Sequence, residues 1–195
     1  MSYYCLHHIK RPSTRDCTSL IVDTRAAAVE QLASQGISTI GIFRGLFGLA
    51  SNEIYLLTYS QADQYKSDFL VNNSVTLKRL QLLPSIRPVQ HAPLVTPGIY
   101  VFRFWQLDAQ HIPDLIRLSE NAWRTFEQGF ESEVFGLFTE DTCHASRQGL
   151  LLTWYRDLSV WQSSRTPDAN ARENFRQRQL LIDEALPIAT SLAEL

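Results

Sequence analysis

Lysine is scarce in this chain, and arginine supplies most of the positive charge. No run of like charges builds a basic patch or an acidic tail. The formal net charge of -2 recruits neither nucleic acid nor an anionic membrane. The cysteines, Cys5, Cys17 and Cys143, are odd in number and far apart. That excludes a disulfide framework and points to a reducing compartment. No apolar stretch approaches the ~20 residues of a membrane-spanning helix. The opening "MSYYCLHHIK" lacks the basic-then-apolar order of a signal peptide. G-x-S-x-G, a glycine-rich phosphate loop and C-x-x-C are also missing. The expectation is a soluble, cytoplasmic protein with no membrane partner.

What the chain does contain is a hidden repeat. "YCLHHIK" (4–10) lies over "YVFRFWQ" (100–106), and both read as strands. Helical stretches follow, "LIVDTRAAAVEQLASQG" and "IPDLIRLSENAWRTFEQG", each closing on Gln-Gly. In the second, Ile112, Leu115, Ile116, Leu118, Ala122, Trp123 and Phe126 fall on one broad face. Gly36 and Gly129 are expected to take the left-handed conformation that ends a helix. Next come "STIGIFRGLFG" and "SEVFGLFTED", sharing Gly-Leu-Phe at 45–47 and 136–138. After a turn come "EIYLLTYS" (53–60) and "GLLLTWYR" (149–156), then polar, helix-compatible segments. In the second of these, Thr166 is the expected N-cap and Pro167 the first helical residue. The closing strands are "VTLKRLQLLP" (75–84) and the weaker "IATSLAEL" (188–195).

Each half thus reads β-α-β-β-α-β, the ferredoxin-like pattern. The expected organisation is one repeat over 1–84, a linker over 85–97 and a second repeat over 98–195. Pro88, Pro93 and Pro97 make that junction stiff and extended. A ferredoxin-like sheet carries helices on one face and needs cover on the other. Two such sheets in one chain are expected to pack face to face as an intramolecular α/β barrel, an α+β fold. That closure needs no second chain, and it leaves monomer and homodimer both open.

A strand as apolar as "GIYVFRFWQL" (98–107) should not carry Arg103 without reason. The period of two puts Tyr100, Phe102 and Phe104 on one face and Val101, Arg103 and Trp105 on the other. The aromatic set suits packing against helices, which points Arg103 into the barrel. A buried guanidinium keeps its charge and needs a partner. A structural pairing with Glu133 or Asp157 is the plainer expectation; an anionic ligand is the other. His7 takes the place of Arg103 in the first half.

The second half resembles the NIPSNAP family. The residues that carry the resemblance are Tyr100 followed by Arg103, a helix containing Trp123, "GLFTE", then Trp154, Tyr155, Arg156 and Asp157, and finally "ARENF" and "EALP". It covers about 98–187. In the first half His7 replaces the arginine, and Thr58-Tyr59 replaces Thr153-Trp154. The resemblance implies the dimeric α/β-barrel superfamily. That superfamily includes cofactor-independent quinol-type monooxygenases, lactone isomerases, dehalogenating enzymes and haem-handling enzymes.

No metal is expected, since "CLHH" (5–8) has no second cluster at ligand spacing. Cys143-His144 falls in a polar loop and reads as plain surface. His7 as an axial haem ligand is a distant option, and no cofactor is expected. Nucleic acid is set aside because basic companions to the aromatics are missing. The expected function is binding of a small aromatic or anionic molecule, in the barrel or in the mouth between sheet and helices. Its expected residues are His7, Arg103, Trp105, Trp154 and Arg156. Arg103 would hold an anionic or carbonyl oxygen, and His7 would be the group able to move a proton. The alternative is a cofactor-independent monooxygenase or isomerase.

Overall fold

The computed structural model describes residues 2–61 and 69–193. The polar helical segment expected after residue 60 falls largely on 62–68, outside the described residues. The chain forms two compact units. The first comprises Met1–Pro84, Gln90–Pro97 and Ile188–Leu195; the second comprises Ser85–Val89 and Gly98–Pro187.

In the first unit the strands are β1 (Tyr3–Lys10), β2 (Ser38–Phe47), β3 (Glu53–Ser60) and β4 (Val75–Pro84). β1 lies between β3 and β4, and β2 pairs with β3, all antiparallel. The order β4-β1-β3-β2 is that of a ferredoxin-like sheet. The last strand, β8 (Glu184–Leu192), delivers its end to this unit and pairs with β2 through Ala189–Leu192. Helix α1 (Thr18–Ala27) continues as a π turn and a 3-10 turn before Gly36, at φ +70°, ends it. Gly36 therefore stops the helix as its lack of a Cβ allows.

The second unit repeats the frame. β7 (Ser146–Tyr155) lies between β5 (Ile99–Asp108) and β6 (Ser132–Glu140), antiparallel to both. Helix α2 (Ile112–Gly129) buries Leu115, Leu118, Ala122, Trp123 and Phe126 on one stripe. Its partner in the helix layer is α4 (Ala169–Gln179), preceded by the short α3 (Leu158–Ser163). The α+β class and the twofold ferredoxin-like pattern hold. The register does too: Tyr4 pairs with Tyr59 where Tyr100 pairs with Trp154.

Three local expectations are corrected. The shared Gly-Leu-Phe is not the structural match. Gly41-Ile42-Phe43 occupies the place of Gly136-Leu137-Phe138, each directly after a strand bulge. Phe43 and Phe138 are fully buried, whereas Phe47 is exposed. Gly129 does not adopt positive φ; α2 ends because Phe130 turns extended, at φ -142°. Helix α4 starts two residues after Pro167. Asp168 caps it, accepting from the N–H of Asn170 and of Ala171, because a carboxylate facing those unpaired donors outcompetes a hydroxyl further upstream.

The proline-rich junction is held down on both sides. Within the first unit His91 hydrogen-bonds the Tyr4 hydroxyl (2.7 Å) and stacks on Tyr59 at 4.0 Å. Within the second, Arg87 makes paired hydrogen bonds to Glu127 (2.6 and 3.0 Å) and lies 5.1 Å from the Trp123 ring. Gly98 then opens β5 at φ +150°, where a Cβ would run into the Trp154 ring and the Tyr155 carbonyl. Gly98→Ala is expected to cost about 1–3 kcal/mol through strain and collision. Urea denaturation would measure it, and an unchanged midpoint would refute the close approach.

Candidate functional site

Arg103 does not occupy the face expected for it. Val101, Arg103 and Trp105 lie under the helices, and Tyr100, Phe102 and Phe104 lie on the opposite face of the sheet. Trp105 and Leu107 share a core with Leu115 and Trp123 of α2. Composition could not choose between the faces because both are buried: Tyr100 and Phe102 are as fully covered as Val101 and Leu107. The tertiary contact with α2 decides the matter.

A cavity of about 400 Å³ lies between this sheet and its helices. The pleat builds its floor from Arg103 and Trp105 on β5, from Leu151, Thr153 and Tyr155 on β7, and from Val134 on β6. Trp123 and Phe126 of α2, with Phe175 and Arg178 of α4, form the roof. Arg165, from the turn after α3, reaches the same space.

Three guanidiniums therefore share one cavity, and among the described residues no carboxylate, imidazole or thiol lines it. Arg103 donates to the Tyr155 hydroxyl (2.9 Å) and to the Thr153 hydroxyl (3.3 Å). Arg178 is more than nine-tenths buried. Among the described residues it makes one side-chain hydrogen bond, to Ser119 Oγ (3.1 Å). Its guanidinium lies 4.6 Å from the Phe175 ring and 4.8 Å from the Trp105 ring. The ring faces supply part of the missing solvation, worth about 1–2 kcal/mol each in a dry site. Burial, and then the charge of Arg103, push the Arg178 pKa down to about 9. At neutral pH it still carries its proton. Arg165 is exposed, lies 4.6 Å from the Trp161 ring, and has its pKa lowered by desolvation and by Arg103. Among the described residues none of the three forms an ion pair. The structural pairing of Arg103 with Glu133 or Asp157 is thus replaced by two hydroxyl contacts. Asp157 instead caps α3 and bonds Arg156.

Of the residues expected at the site, Arg103 and Trp105 come together here. Trp154 lies on the other face of β7, half-buried beside Gly98. Arg156 is exposed and paired with Glu131 and Asp157. His7 belongs to the first unit, almost fully buried and edge-on to Phe69 at 5.6 Å. Burial, and then the charge of Arg79, lower its pKa to about 4. It is therefore a neutral core group at pH 7, packed edge-on against Phe69. Arg165 and Arg178 were not anticipated. Arg178 had a readable signal: Ala171, Phe175 and Arg178, at helical spacing i, i+4, i+7, place it on the inward face of α4. Arg165 lies in a turn and had none.

Two stability measurements probe these environments. The depressed His7 pKa means the unfolded chain binds the extra proton between about pH 6.5 and 4. Stability should therefore fall as pH drops through that window, by up to about 3 kcal/mol. His7→Gln should flatten the slope there; an unaltered slope would refute the assignment. Arg178→Met should stabilise the protein by about 1–3 kcal/mol in buffer free of multivalent anions, because it removes an uncompensated buried charge while keeping the stacked stem. A lower denaturation midpoint would show that the charge is internally compensated.

Among the described residues no helix is long and apolar enough to cross a membrane. No protein-family model and no curated protein matches the chain. Solved structures do. An anthrone oxidase-like protein aligns at TM-score 0.70 and 8% identity, over 98% of this chain and 92% of its own. A mutant chlorite dismutase from Candidatus Nitrospira defluvii aligns at TM-score 0.65 and 10% identity, over 98% of this chain and 91% of its own. A monooxygenase-like protein from Listeria innocua aligns at TM-score 0.56 and 11% identity, over 100% and 95%. At such identities the likeness shows the fold, which is the dimeric α/β-barrel fold.

Proposed function

We propose that this is a NIPSNAP-like, cytoplasmic small-molecule-binding protein whose ligand is a negatively charged, partly aromatic compound held in the cavity of the second unit. One observation carries the reading: Arg103, Arg165 and Arg178, from three separate segments, share a cavity that, among the described residues, no carboxylate lines. Guanidinium cannot shed its charge at neutral pH, so an anion is the chemical complement the cavity lacks. The volume lies in the usual range of small-ligand sites, and Trp105, Trp123, Phe126 and Phe175 supply ring surfaces. Arg103, held by Tyr155 and Thr153, presents its fork from the floor. The NIPSNAP likeness rests on Tyr100, Arg103 and the Trp154–Asp157 run.

A second reading, a cofactor-independent oxygenase or isomerase, draws support from structural neighbours described as oxidase-like and monooxygenase-like. The lining residues limit it: among the described residues, the hydroxyls of Thr153, Tyr155 and Ser164 are the hydroxyl groups on the cavity, and the Tyr155 hydroxyl already accepts from Arg103. Recognition therefore explains the cavity more fully than acid–base chemistry.

Native mass spectrometry of freshly purified protein tests the proposal. The expected result is a mass excess that disappears on denaturation and is missing from Arg103→Ala and from Arg178→Met. A bare mass, together with no thermal stabilisation by any organic anion, would overturn it.

A further inference from the structure

Resting on the anion-site reading above, we infer that Tyr155 sets the specificity of the cavity. Its hydroxyl selects an aromatic anion whose charged end carries hydrogen-bond acceptors only, an aryl 2-oxo acid rather than the corresponding 2-hydroxy acid. A guanidinium has donors and no acceptor. Arg103 therefore gives both of its hydrogen bonds here, to Tyr155 Oη (2.9 Å) and to Thr153 Oγ1 (3.3 Å). Each hydroxyl oxygen is the acceptor, so each hydroxyl proton points away from Arg103. Among the described residues neither Tyr155 nor Thr153 makes another side-chain hydrogen bond.

Both residues are almost fully buried, and both line the cavity. At i and i+2 on β7 they share the strand face that forms the floor. The remaining polar group of that floor, the Trp105 indole, is also a donor only. The floor thus presents donors around one fixed cation, and a buried O–H without an acceptor is costly. Arg103 also lies 5.7 Å from the Tyr155 ring, so phenol and guanidinium are held as one unit.

A carboxylate answers the charge of Arg103. A carbonyl oxygen on the next carbon gives the hydroxyl protons their acceptor. A ligand hydroxyl in that place can also accept from Tyr155. Its own proton then meets a floor made of donors and stays unpaired in a buried layer. Sites built around such a hydrogen bond discriminate strongly, because the wrong group leaves a polar atom unmet. Trp105, Trp123, Phe126 and Phe175 receive the aryl ring.

Isothermal titration of wild type, Tyr155→Phe and Thr153→Val with benzoylformate and both enantiomers of mandelate tests this. The probes share ring, charge and near-equal size, so their difference reads the oxo group. Wild type should bind benzoylformate at least about tenfold more tightly than either mandelate. Tyr155→Phe keeps the ring and removes the O–H, and should cut that preference to about twofold or less. Thr153→Val should lower it by about threefold, and it supplies the same comparison if Tyr155→Phe melts early. A merely structural role would weaken all probes alike and leave the ratio unmoved. Equal affinities in wild type, a preference for mandelate, or a ratio unchanged in both variants would overturn the selection. If no probe binds but the native mass excess is present, the oxo-acid selection falls and the anion site stands. If no probe binds and no mass excess is found, both fall.

Discussion

A guanidinium that cannot deprotonate, set where water hardly reaches, is the constraint on which the second unit turns. Arg178 brings that charge into the gap between sheet and helices, and everything around it responds. Trp105 and Phe175 offer their ring faces, Ser119 offers one oxygen, and its pKa falls. A core built for stability alone would place an aliphatic residue there. Two further arginines on the same cavity add repulsion where a stability-driven design would add a carboxylate.

The two repeats share a frame and diverge in the gap above the sheet. At the position of Arg103 the first unit has His7, buried, neutral at pH 7 and edge-on to Phe69. Its helix side is a continuous apolar cluster through Ile9, Leu20, Leu32, Ile54 and Val71. The second unit uses the same strand position to present a charge to open space. One fold therefore carries an apolar cluster in one unit and an arginine-lined cavity in the other, distinguished by the side chain at one strand position and by what the helix layer places over it. This is how a single architecture supports unrelated activities, since function resides in the site and not in the frame.

Much of the frame was legible. Strand periodicity, the apolar stripe of α2 and the glycine stop at Gly36 are local properties, so the strand order and the first helix of each repeat could be read twice. The match of Tyr4 to Tyr100 held because both begin strands with the same pairing. The Gly-Leu-Phe match failed because a tripeptide carries no information on register; the bulges before Gly41 and Gly136 set it instead. The site was legible in half. Arg103 stood out as a charge in an apolar strand, and Trp105 follows from the same parity. Trp154 and Arg156 drew notice for their chemistry, yet the pleat turns Trp154 away and local acids occupy Arg156.

The sequence by itself determined the elements, their order and the internal repeat, because hydrophobic period and turn chemistry act over a few residues. It also determined that one strand would carry a charge into a buried layer. Only the tertiary structure decided which face of that strand meets the helices, since both faces are buried. Only the tertiary structure brought Arg165 and Arg178 to Arg103, across 62 and 75 residues of chain. Long-range packing of α4 over β5 and β7 makes that meeting, and no local pattern encodes it.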